Sequence, residues 1–511
     1  MILRKTLRQY ISEINDNMIF CAQHFCTGSS LIFDSNRDAT LLFHDYETWG
    51  IDPRYDFACQ FAAIRTDSNL NIIDKPVSYF CQIPNDYLPH PGACLITGIT
   101  PQQSLRDGMI EAEFARKIET LMSTANTCVV GYNSIRFDDE VTRNLFYRNF
   151  IDPYEREYKH GNSRWDIIDL VRACYALRPQ GIQWPVKEDG SPSFKLEELT
   201  AYNDIAHAAA HDAVSDVKAT IEFTKLIKEA QPKLFDYFFD LRKKANVNRL
   251  IQFDFKSPLV YVSGIISAKQ GCTTLILPIC AHPSNTNTVI CIDLNTDCSI
   301  FSRLNESELR DLLYKNRTQL AEHEQRPGIK TLSVNKSPFL APAKTLTDEI
   351  AQRLGINLQD CRNNLKVLMQ CQDLSNKLSA TFSHETEISE TDVDAGLYVR
   401  GFPSAADKEW MKRVVNADPE QLTAFAETAP TLALKSQLLR YRARNYPQTL
   451  SESELETWQR HRQSRFNDGN KKTCLSAQEF HAALSDLAQA NTQNAKKMKV
   501  LASLEHFLND I

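Results

Sequence analysis

Hydrophobic positions change repeatedly between strand spacing and helix spacing from residue 39 to residue 231. Strands are predicted for four short apolar runs, TLLFHDYETWG, FACQFAAIRTD, VSYFCQI and TCVVGYN. Helices are predicted for AEFARKIETLMS and for HDAVSDVKATIEFTKLIKEA, the second of which ends at Gln231-Pro232. This alternation predicts a mixed sheet with helices on its faces.

The pattern differs in the rest of the chain. Turn residues separate three apolar runs, PLVYVSGIIS, TTLILPICAH and NTVICIDL, which predict a small antiparallel β-barrel or sheet, with helices after Ser307. The acidic stretch SHETEISETDVD is rich in Ser and Thr and is typical of a linker. Residues 395–511 have helical periodicity and little strand signal.

A chain of 511 residues is too long for a single hydrophobic core. The patterns divide it into an N-terminal extension at 1–38, an α/β domain at 39–231, a β-rich domain at 232–382, a linker at 383–394 and a helical domain at 395–511. Helical spacing occurs in the extension at Leu3, Leu7, Ile11 and Ile14. We nevertheless expect the extension to be poorly ordered, and it lacks the apolar region of a secretory signal.

Composition is that of an ordinary globular protein, with 42% hydrophobic and 24% charged residues. No apolar run approaches the roughly 18–20 residues that a membrane span needs. The 14 cysteines include no Cys-x-x-Cys pair, and many lie in apolar runs, so we expect buried thiols and a cytoplasmic protein. The net charge of −6 still allows nucleic-acid binding, because a polyanion needs only a local basic surface.

Two acidic residues of the first predicted strand, Asp45 and Glu47, lie two positions apart and therefore on the same face. Carboxylates presented in this way are suitable ligands for a divalent cation. An isolated pair is equally typical of a solvated strand edge, since 64 of the 511 residues are acidic. The apolar residues before Asp45 favour burial, and a buried carboxylate needs a partner or a metal.

Further candidates occur at the starts of two predicted helices. Asp138 opens a helix together with Asp139 and Glu140, where any acid is favoured by the helix dipole. His211 and Asp216 lie in HDAVSD, and Asp216 falls about one turn into the long helix. A lone histidine at this place is commonly a cap or a surface residue, so each candidate is ambiguous alone.

The order Asp-x-Glu, Asp, His-x₄-Asp resembles the DEDD exonuclease superfamily in its histidine-containing branch, DEDDh. Longer phrases, among them FHDYETWG, DYLPHPGACLITGITP, GYNSIRFDDEVTRNLFYRNF, NSRWDIIDLVRACYALRP and YRARNYP, resemble the bacterial exonuclease I family over roughly nine tenths of the chain. The resemblance implies an α/β fold class, with a ribonuclease H-like exonuclease domain, a β-rich SH3-like domain and an α-helical C-terminal domain.

The same resemblance implies a 3′→5′ exodeoxyribonuclease that releases 5′-mononucleotides from single-stranded DNA, in DNA repair and recombination. Two Mg²⁺ ions, with Mn²⁺ as the alternative, are expected on Asp45, Glu47, Asp138 and Asp216. His211 is expected to be the general base, because its near-neutral pKa suits that role.

Substrate contacts are implied at a further set of positions. Lys195 stands where the family has an arginine, which keeps the charge but loses the bidentate fork. Contacts with single-stranded DNA are expected from Glu47, Arg143, Tyr154, Tyr158, Arg172 and Arg178. Packing of the tyrosines and ion pairing of the arginines are the alternatives.

The family also implies a processive enzyme whose three domains enclose the strand, and which binds the C-terminal tail of single-strand-binding protein as a monomer. Arginines recur at helical spacing in the tail, at Arg440, Arg442, Arg444, Arg460, Arg462 and Arg465, and indicate either a solvated face or a basic surface. Two alternatives remain, a DEDDh ribonuclease and a catalytically silent binding scaffold. The presence of all five reactive residues argues against the scaffold.

Overall fold

A computed structural model of the protein describes residues 39–207, 212–321, 324–383, 392–468 and 474–510. Three sequence expectations lie outside these residues, in whole or in part. They are the helical spacing in the extension, the position of His211 and most of the linker predicted at 383–394.

The first sheet has five strands, β1 (Thr40–Thr48), β2 (Ala58–Thr66), β3 (Val77–Phe80), β4 (Thr127–Gly131) and β5 (Ser163–Asp166), in the order β3-β2-β1-β4-β5. β1, β2 and β3 pair antiparallel, whereas β4 and β5 continue the sheet in parallel. The predicted mixed sheet is confirmed. β1 lies at its centre, so its residues are fixed by strands on both sides.

Helices cover both faces of this sheet. The helices described between residues 91 and 250 are α1 (Pro91–Thr97), α2 (Pro101–Asp107), α3 (Glu111–Met122), α4 (Asp138–Arg148), α5 (Ile167–Leu177), α6 (Leu196–Tyr202), α7 (Ala213–Ala230), α8 (Pro232–Asp240) and α9 (Lys244–Leu250), with 3₁₀ turns at Glu155–Glu157 and Lys159–Gly161. Residues of α3 and α4 share a core with Leu42 and Phe61. Residues of α5, α7 and α8 share another with Phe43 and Val130, on the opposite face.

The second sheet is antiparallel and contains β6 (Leu259–Val262), β7 (Thr273–Ala281), β8 (Thr288–Asp293), β9 (Ile329–Ser333) and β10 (Phe339–Pro342), in the order β10-β6-β7-β8-β9. The helices predicted after Ser307 are present, and the strands β9 and β10, which the sequence did not predict, lie among them. Both are short strands at the two edges, so their pairing with β8 and β6 forms them more than their own pattern does.

The helices of this β-rich part are α10 (Ile300–Arg303), α11 (Glu306–Tyr314), α12 (Asp348–Arg353), α13 (Leu358–Gln370) and α14 (Leu374–Thr381), with 3₁₀ turns at Ala268–Gln270, Arg317–Gln319 and Ala343–Thr345. Its core is continuous with that of the first sheet, because Val260 and Phe339 belong to the same buried cluster as Phe43.

The described residues after 391 are helical, as the sequence predicts. A 3₁₀ turn at Val393–Tyr398 precedes α15 (Ala405–Asn416), α16 (Leu422–Phe425), α17 (Leu432–Asn445), α18 (Glu452–Asp468), α19 (Ala477–Ala490) and α20 (Ala495–Asp510), with further 3₁₀ turns at Pro419–Gln421 and Pro447–Thr449. α19 and α20 bury Trp49 and Phe57, which flank the loop after β1. Among the helices the structure describes, none has the length and apolarity to cross a bilayer.

Buried ion pairs join this helical part to the first domain. Asp86 has no exposed surface and accepts hydrogen bonds from Arg444 at 2.9 and 2.7 Å. Arg465 lies 3.3 Å from the same carboxylate. Burial alone would raise the pKa of Asp86, but Arg444 and Arg465 hold it well below its ordinary value.

Arginines of the tail therefore serve largely as internal ion-pair partners. Arg440 pairs with Asp392 and Asp394, and the buried Arg442 pairs with Glu454 at 2.6 Å. Helical spacing in the sequence shows that these arginines lie near one another. It does not show that acidic residues elsewhere in the chain form ion pairs with them.

Removal of the Asp86 carboxylate is expected to destabilise the protein. Asp86→Ala leaves the Arg444 and Arg465 charges buried without their anion, at an expected cost of about 3–5 kcal/mol. Thermal and urea denaturation measure the loss, with Asp107→Ala as the control, since Asp107 pairs with Arg106 at the surface. Equal transitions for the two variants would contradict a stabilising role of the buried ion pairs.

Candidate active site

Three carboxylates converge at the centre of the first sheet. Asp45 and Glu47 extend from the same face of β1, and Asp216 approaches from the first turns of α7. Each of the three places one carboxylate oxygen within 4.8 Å of the others. The Asp212 side chain caps α7 by accepting a hydrogen bond from Ser215 N, which fixes the helix start just before Asp216.

Asp138 lies next to this group, at the start of the helix that follows a neighbouring strand. It is the first residue of α4, which follows β4, and β4 runs parallel to β1. Its Oδ1 accepts a hydrogen bond from the backbone N–H of Tyr46, at 3.2 Å, between Asp45 and Glu47 in the chain. Asp138 therefore lies beside the three clustered carboxylates, near the C-terminal end of β1, and its charge acts on Asp45 and Glu47.

The electrostatics of this group are those of a cation site. Burial, and then the charges of Asp138, Glu47 and Asp216, raise the pKa of Asp45 well above its ordinary value. Burial and the charge of Asp216 raise the pKa of Glu47 to about 8. Burial and the charge of Asp139 raise the pKa of Asp138 to about 8. A divalent cation relieves this repulsion, and carboxylate oxygens are its preferred ligands, so the residues fit such an ion.

The neighbouring Asp139 is in the opposite situation. It is buried and accepts hydrogen bonds from Arg156 at 2.7 Å and from Arg164 at 2.8 Å. Although burial raises the pKa of Asp139, the two guanidinium groups hold it well below its ordinary value. The sequence alone does not separate Asp138 from Asp139, since both are acids at a helix start.

A histidine that the sequence does not single out contacts the site. His207 Nε2 lies 2.5 Å from Asp216 Oδ1, and the His207 side chain is 6% exposed. Its Nδ1 lies 3.1 Å from the Thr200 hydroxyl, which also donates to the carbonyl of Leu196 at 2.9 Å. The available signal is the pair of histidines in HAAAHD, of which the His-x₄-Asp spacing selects only His211.

Two of the expected substrate contacts are held in ion pairs. Arg143 is buried, donates two hydrogen bonds to Glu157 at 2.8 and 3.0 Å, and lies 5.1 Å from the centre of the Tyr154 ring. Arg172 donates to Asp169 at 2.7 Å. Their guanidinium groups already have carboxylate partners, so direct contact with a phosphate stays a prediction.

Other expected contacts are accessible. Tyr158 is 62% exposed, and the side chain of Lys195 is 64% exposed at the start of α6, 3.5 Å from Glu198. Arg178 is exposed after the end of α5. The structure thus leaves these three side chains free to meet a ligand, while their roles as DNA contacts stay predictions.

Family models match three successive parts of the chain. The model described as "Exonuclease" matches residues 42–224, "Exonuclease I SH3-like domain" matches 242–384, and "Exonuclease I C-terminal domain" matches 391–511. The exodeoxyribonuclease I of Escherichia coli is 45% identical over 94% of this chain and 99% of its own length. That of Haemophilus influenzae is 43% identical over 92% of this chain and 98% of its own length.

Solved structures agree with these relatives. E. coli exonuclease I in complex with a dA16 oligonucleotide matches with a TM-score of 0.89 and 45% identity, over 92% of this chain and 99% of that one. A structure of SSB/exonuclease I with the inhibitor CFAM matches with a TM-score of 0.85 and 44% identity over the same shares. The family resemblance and the fold class expected from the sequence are confirmed.

The raised pKa values predict that the metal-free protein loses stability as the pH rises. Folded Glu47 and Asp138 hold protons up to about pH 8, whereas unfolded carboxyl groups release them near pH 4. The folded state therefore binds more protons between these limits, and the free energy of unfolding falls as the pH rises through them. Denaturation without metal at pH 5 and pH 8 measures the loss.

Glu47→Gln is expected to reduce the fall in the free energy of unfolding between pH 5 and pH 8. The reduction should be about 1 kcal/mol or more at pH 8, because the variant deletes one repelling charge. The same variant should gain less stability than the wild type from added Mn²⁺. Glu229→Gln, exposed on α7, is the control. A wild type whose metal-free stability increased from pH 5 to pH 8 would contradict the assignment of the cluster.

His207→Ala is expected to weaken divalent-metal binding about tenfold, the lower end of the effect of outer partners of metal ligands. The reason is that Asp216 would lose the imidazole that holds one of its oxygens. Calorimetric titration with Mn²⁺ measures the affinity, and His282→Ala, on the β-rich part, is the control. Unchanged affinity would mean that His207 does not orient Asp216.

Proposed function

Because the chain belongs to the exonuclease I family, we propose that it degrades single-stranded DNA from the 3′ end and releases 5′-mononucleotides. The observation that carries this proposal is the convergence of Asp45, Glu47 and Asp216 within 4.8 Å, with Asp138 hydrogen-bonded to the strand between the first two. The exonucleases of this family require a divalent metal, and this arrangement of acids suits one.

The ions are assigned as two Mg²⁺, with Mn²⁺ as the alternative, held by Asp45, Glu47, Asp138 and Asp216. Bound there, they would supply activation of water and stabilisation of the leaving oxygen. The surrounding residues supply rigidity. The backbone N–H of Tyr46 holds Asp138, and His207 holds Asp216, so neither side chain needs to be ordered when the substrate arrives.

His211 is assigned as the general base on the basis of the His-x₄-Asp motif. Its imidazole takes a proton from the attacking water, whose oxygen forms a bond to the terminal phosphorus. The bond from phosphorus to the 3′-oxygen of the preceding nucleotide breaks, and its electron pair leaves with that oxygen. The released nucleotide therefore keeps its 5′-phosphate.

The substrate path is assigned to the accessible residues Lys195, Tyr158 and Arg178, together with Tyr154 and the ion-paired Arg143 and Arg172. The lysine and arginine side chains neutralise the phosphate backbone, and a tyrosine ring stacks on a base whatever its identity. This combination suits a single strand, whose bases are open to stacking, better than a duplex.

Partners and setting follow from the family. We assign the chain as a processive monomer that encloses its strand, binds the C-terminal tail of single-strand-binding protein, and acts in DNA repair and recombination in the cytoplasm. The twelve cysteines among the described residues are all free thiols, ten of them buried, which suits a reducing compartment.

Asp216→Asn is expected to lower the cleavage rate about a thousandfold, which corresponds to about 4 kcal/mol of barrier, because one metal ligand loses its charge. The measurement uses 5′-labelled single-stranded DNA, its duplex and an RNA of equal sequence, with Mg²⁺, Mn²⁺ or EDTA. Glu222→Gln, exposed on the same helix, is the control and should cleave at the wild-type rate.

Shortening from the 3′ end that needs metal and prefers the single DNA strand is the expected result. Faster cleavage of RNA than of DNA would support the proposed hydrolysis but show that the substrate is RNA. If the wild type bound the strand tightly without cleaving it, the proposal of an enzyme would be wrong and the protein would be a binding scaffold.

A further inference from the structure

One face of α4 contacts the helical part of the chain. Glu140, Arg143 and Tyr147 are three and four residues apart and therefore lie on the same side of the helix. The Tyr398 hydroxyl donates to Glu140 Oε2 and accepts from Arg143 Nη1 at 3.3 Å. The Tyr147 hydroxyl donates to the carbonyl of Val393 at 3.2 Å. We call the 3₁₀ turn Val393–Tyr398, which makes these contacts, the brace.

The adjacent side of α4 faces the acidic cluster. Asp138 Oδ1 accepts from Tyr46 N, and the Thr142 hydroxyl lies 3.0 Å from the Tyr46 hydroxyl. The first turn of α4 is thus enclosed between the brace and the central strand of the sheet. Asp138, the ligand at its start, is two residues from Glu140, which Tyr398 holds.

The brace is itself anchored. Asp394 pairs with Arg440 and Arg444, and Arg444 in turn pairs with the buried Asp86 of the first domain. The brace lies close to α4 at Gly396, where a Cβ would lie 2.6 Å from Arg400 Nε and 2.8 Å from the Tyr147 hydroxyl. A brace fixed at Asp394 and in contact with α4 at Tyr398 resists movement of the helix start.

The β-rich part is linked to Asp139, the residue between Asp138 and Glu140. Asp139 pairs with Arg164, whose Nη2 donates to the carbonyl of Asn335 at 3.1 Å, in the loop between β9 and β10. The Ser337 hydroxyl donates to the carbonyl of Arg164 at 3.4 Å. The first three residues of α4 are therefore linked to three different places. Asp138 bonds to β1, Asp139 is linked through Arg164 to the β-rich part, and Glu140 bonds to the brace.

We propose that Tyr398 is a positioning residue for the metal site. By holding Glu140 it fixes the first turn of α4, and with it the carboxylate of Asp138. Such support matters because the charge of Asp138 opposes ionisation of Asp45 and Glu47, and binding a cation requires these carboxylates to be ionised side by side. Asp138 and Asp216 lie on helices rather than in the central strand, and Asp138 is the first residue of its helix. The helical part thereby sets metal affinity, whether or not it also touches DNA.

The proposal rests on the proposed function only for its activity readout, and Tyr398→Phe tests it in the full chain. The phenylalanine keeps the ring and removes the hydroxyl that bonds Glu140 and Arg143. Binding of Mn²⁺ without DNA, followed by electron paramagnetic resonance, is expected to weaken about tenfold. The Mg²⁺ concentration for half-maximal cleavage of a short oligonucleotide should rise by a similar factor.

At saturating Mg²⁺, kcat and the KM for DNA are expected to stay within about twofold of the wild type, since the ligands themselves are intact. Tyr314→Phe, an exposed tyrosine of α11, is the control and should change none of these values. Glu140→Gln should reproduce the loss of Mn²⁺ affinity and add the effect of a weakened Glu140–Arg143 ion pair. The double variant should lose little more than Glu140→Gln alone, because both changes break the contact between Tyr398 and Glu140.

Three results would overturn the proposal. A lower melting temperature with unchanged Mn²⁺ affinity would reduce Tyr398 to a structural contact. A raised KM for DNA with unchanged Mn²⁺ affinity would make it a substrate contact. Losses that add in the double variant would separate Tyr398 from Glu140. A wild type that binds Mn²⁺ but cleaves nothing would defeat the proposed function, while the Mn²⁺ titrations would still decide the role of Tyr398.

Discussion

Repulsion among buried carboxylates is the constraint on which the rest of this structure depends. Asp45, Glu47 and Asp138 all have raised pKa values, because burial and neighbouring negative charge both oppose ionisation. An arrangement of this kind costs folding free energy until a cation is bound. The fold meets that cost with rigid elements, namely the central strand of a five-stranded sheet and two helices that pack against it.

Several buried acids outside the acidic cluster are paired with arginines. Asp139 directly follows Asp138 in the chain, yet two arginines neutralise it and lower its pKa. Asp86 and Asp394 are likewise paired with arginines of the helical part. The contrast supports the assignment of Asp45, Glu47 and Asp138 as candidate metal ligands, because they are buried carboxylates whose neighbouring charges are other carboxylates.

The three parts of the chain meet at α4, so the division by sequence into domains understates how closely they depend on one another. The β-rich part shares one hydrophobic core with the first sheet. The helical part buries Trp49 and Phe57, and its brace contacts the helix that begins with Asp138. In this chain the segments after residue 231 therefore contact the helix that carries Asp138, one of the proposed metal ligands.

The sequence by itself determined the local features. A period of two placed Asp45 and Glu47 on one face, helical spacing and Gln231-Pro232 bounded α7, and the order of reactive residues indicated the family. Only the tertiary structure decided which acid faces the cluster, that His207 contacts Asp216, that tail arginines pair with buried acids, and that β9 and β10 form. Local periodicity fixes the face a residue occupies, whereas its charge partner or pairing strand comes from residues distant in the chain, which periodicity does not encode.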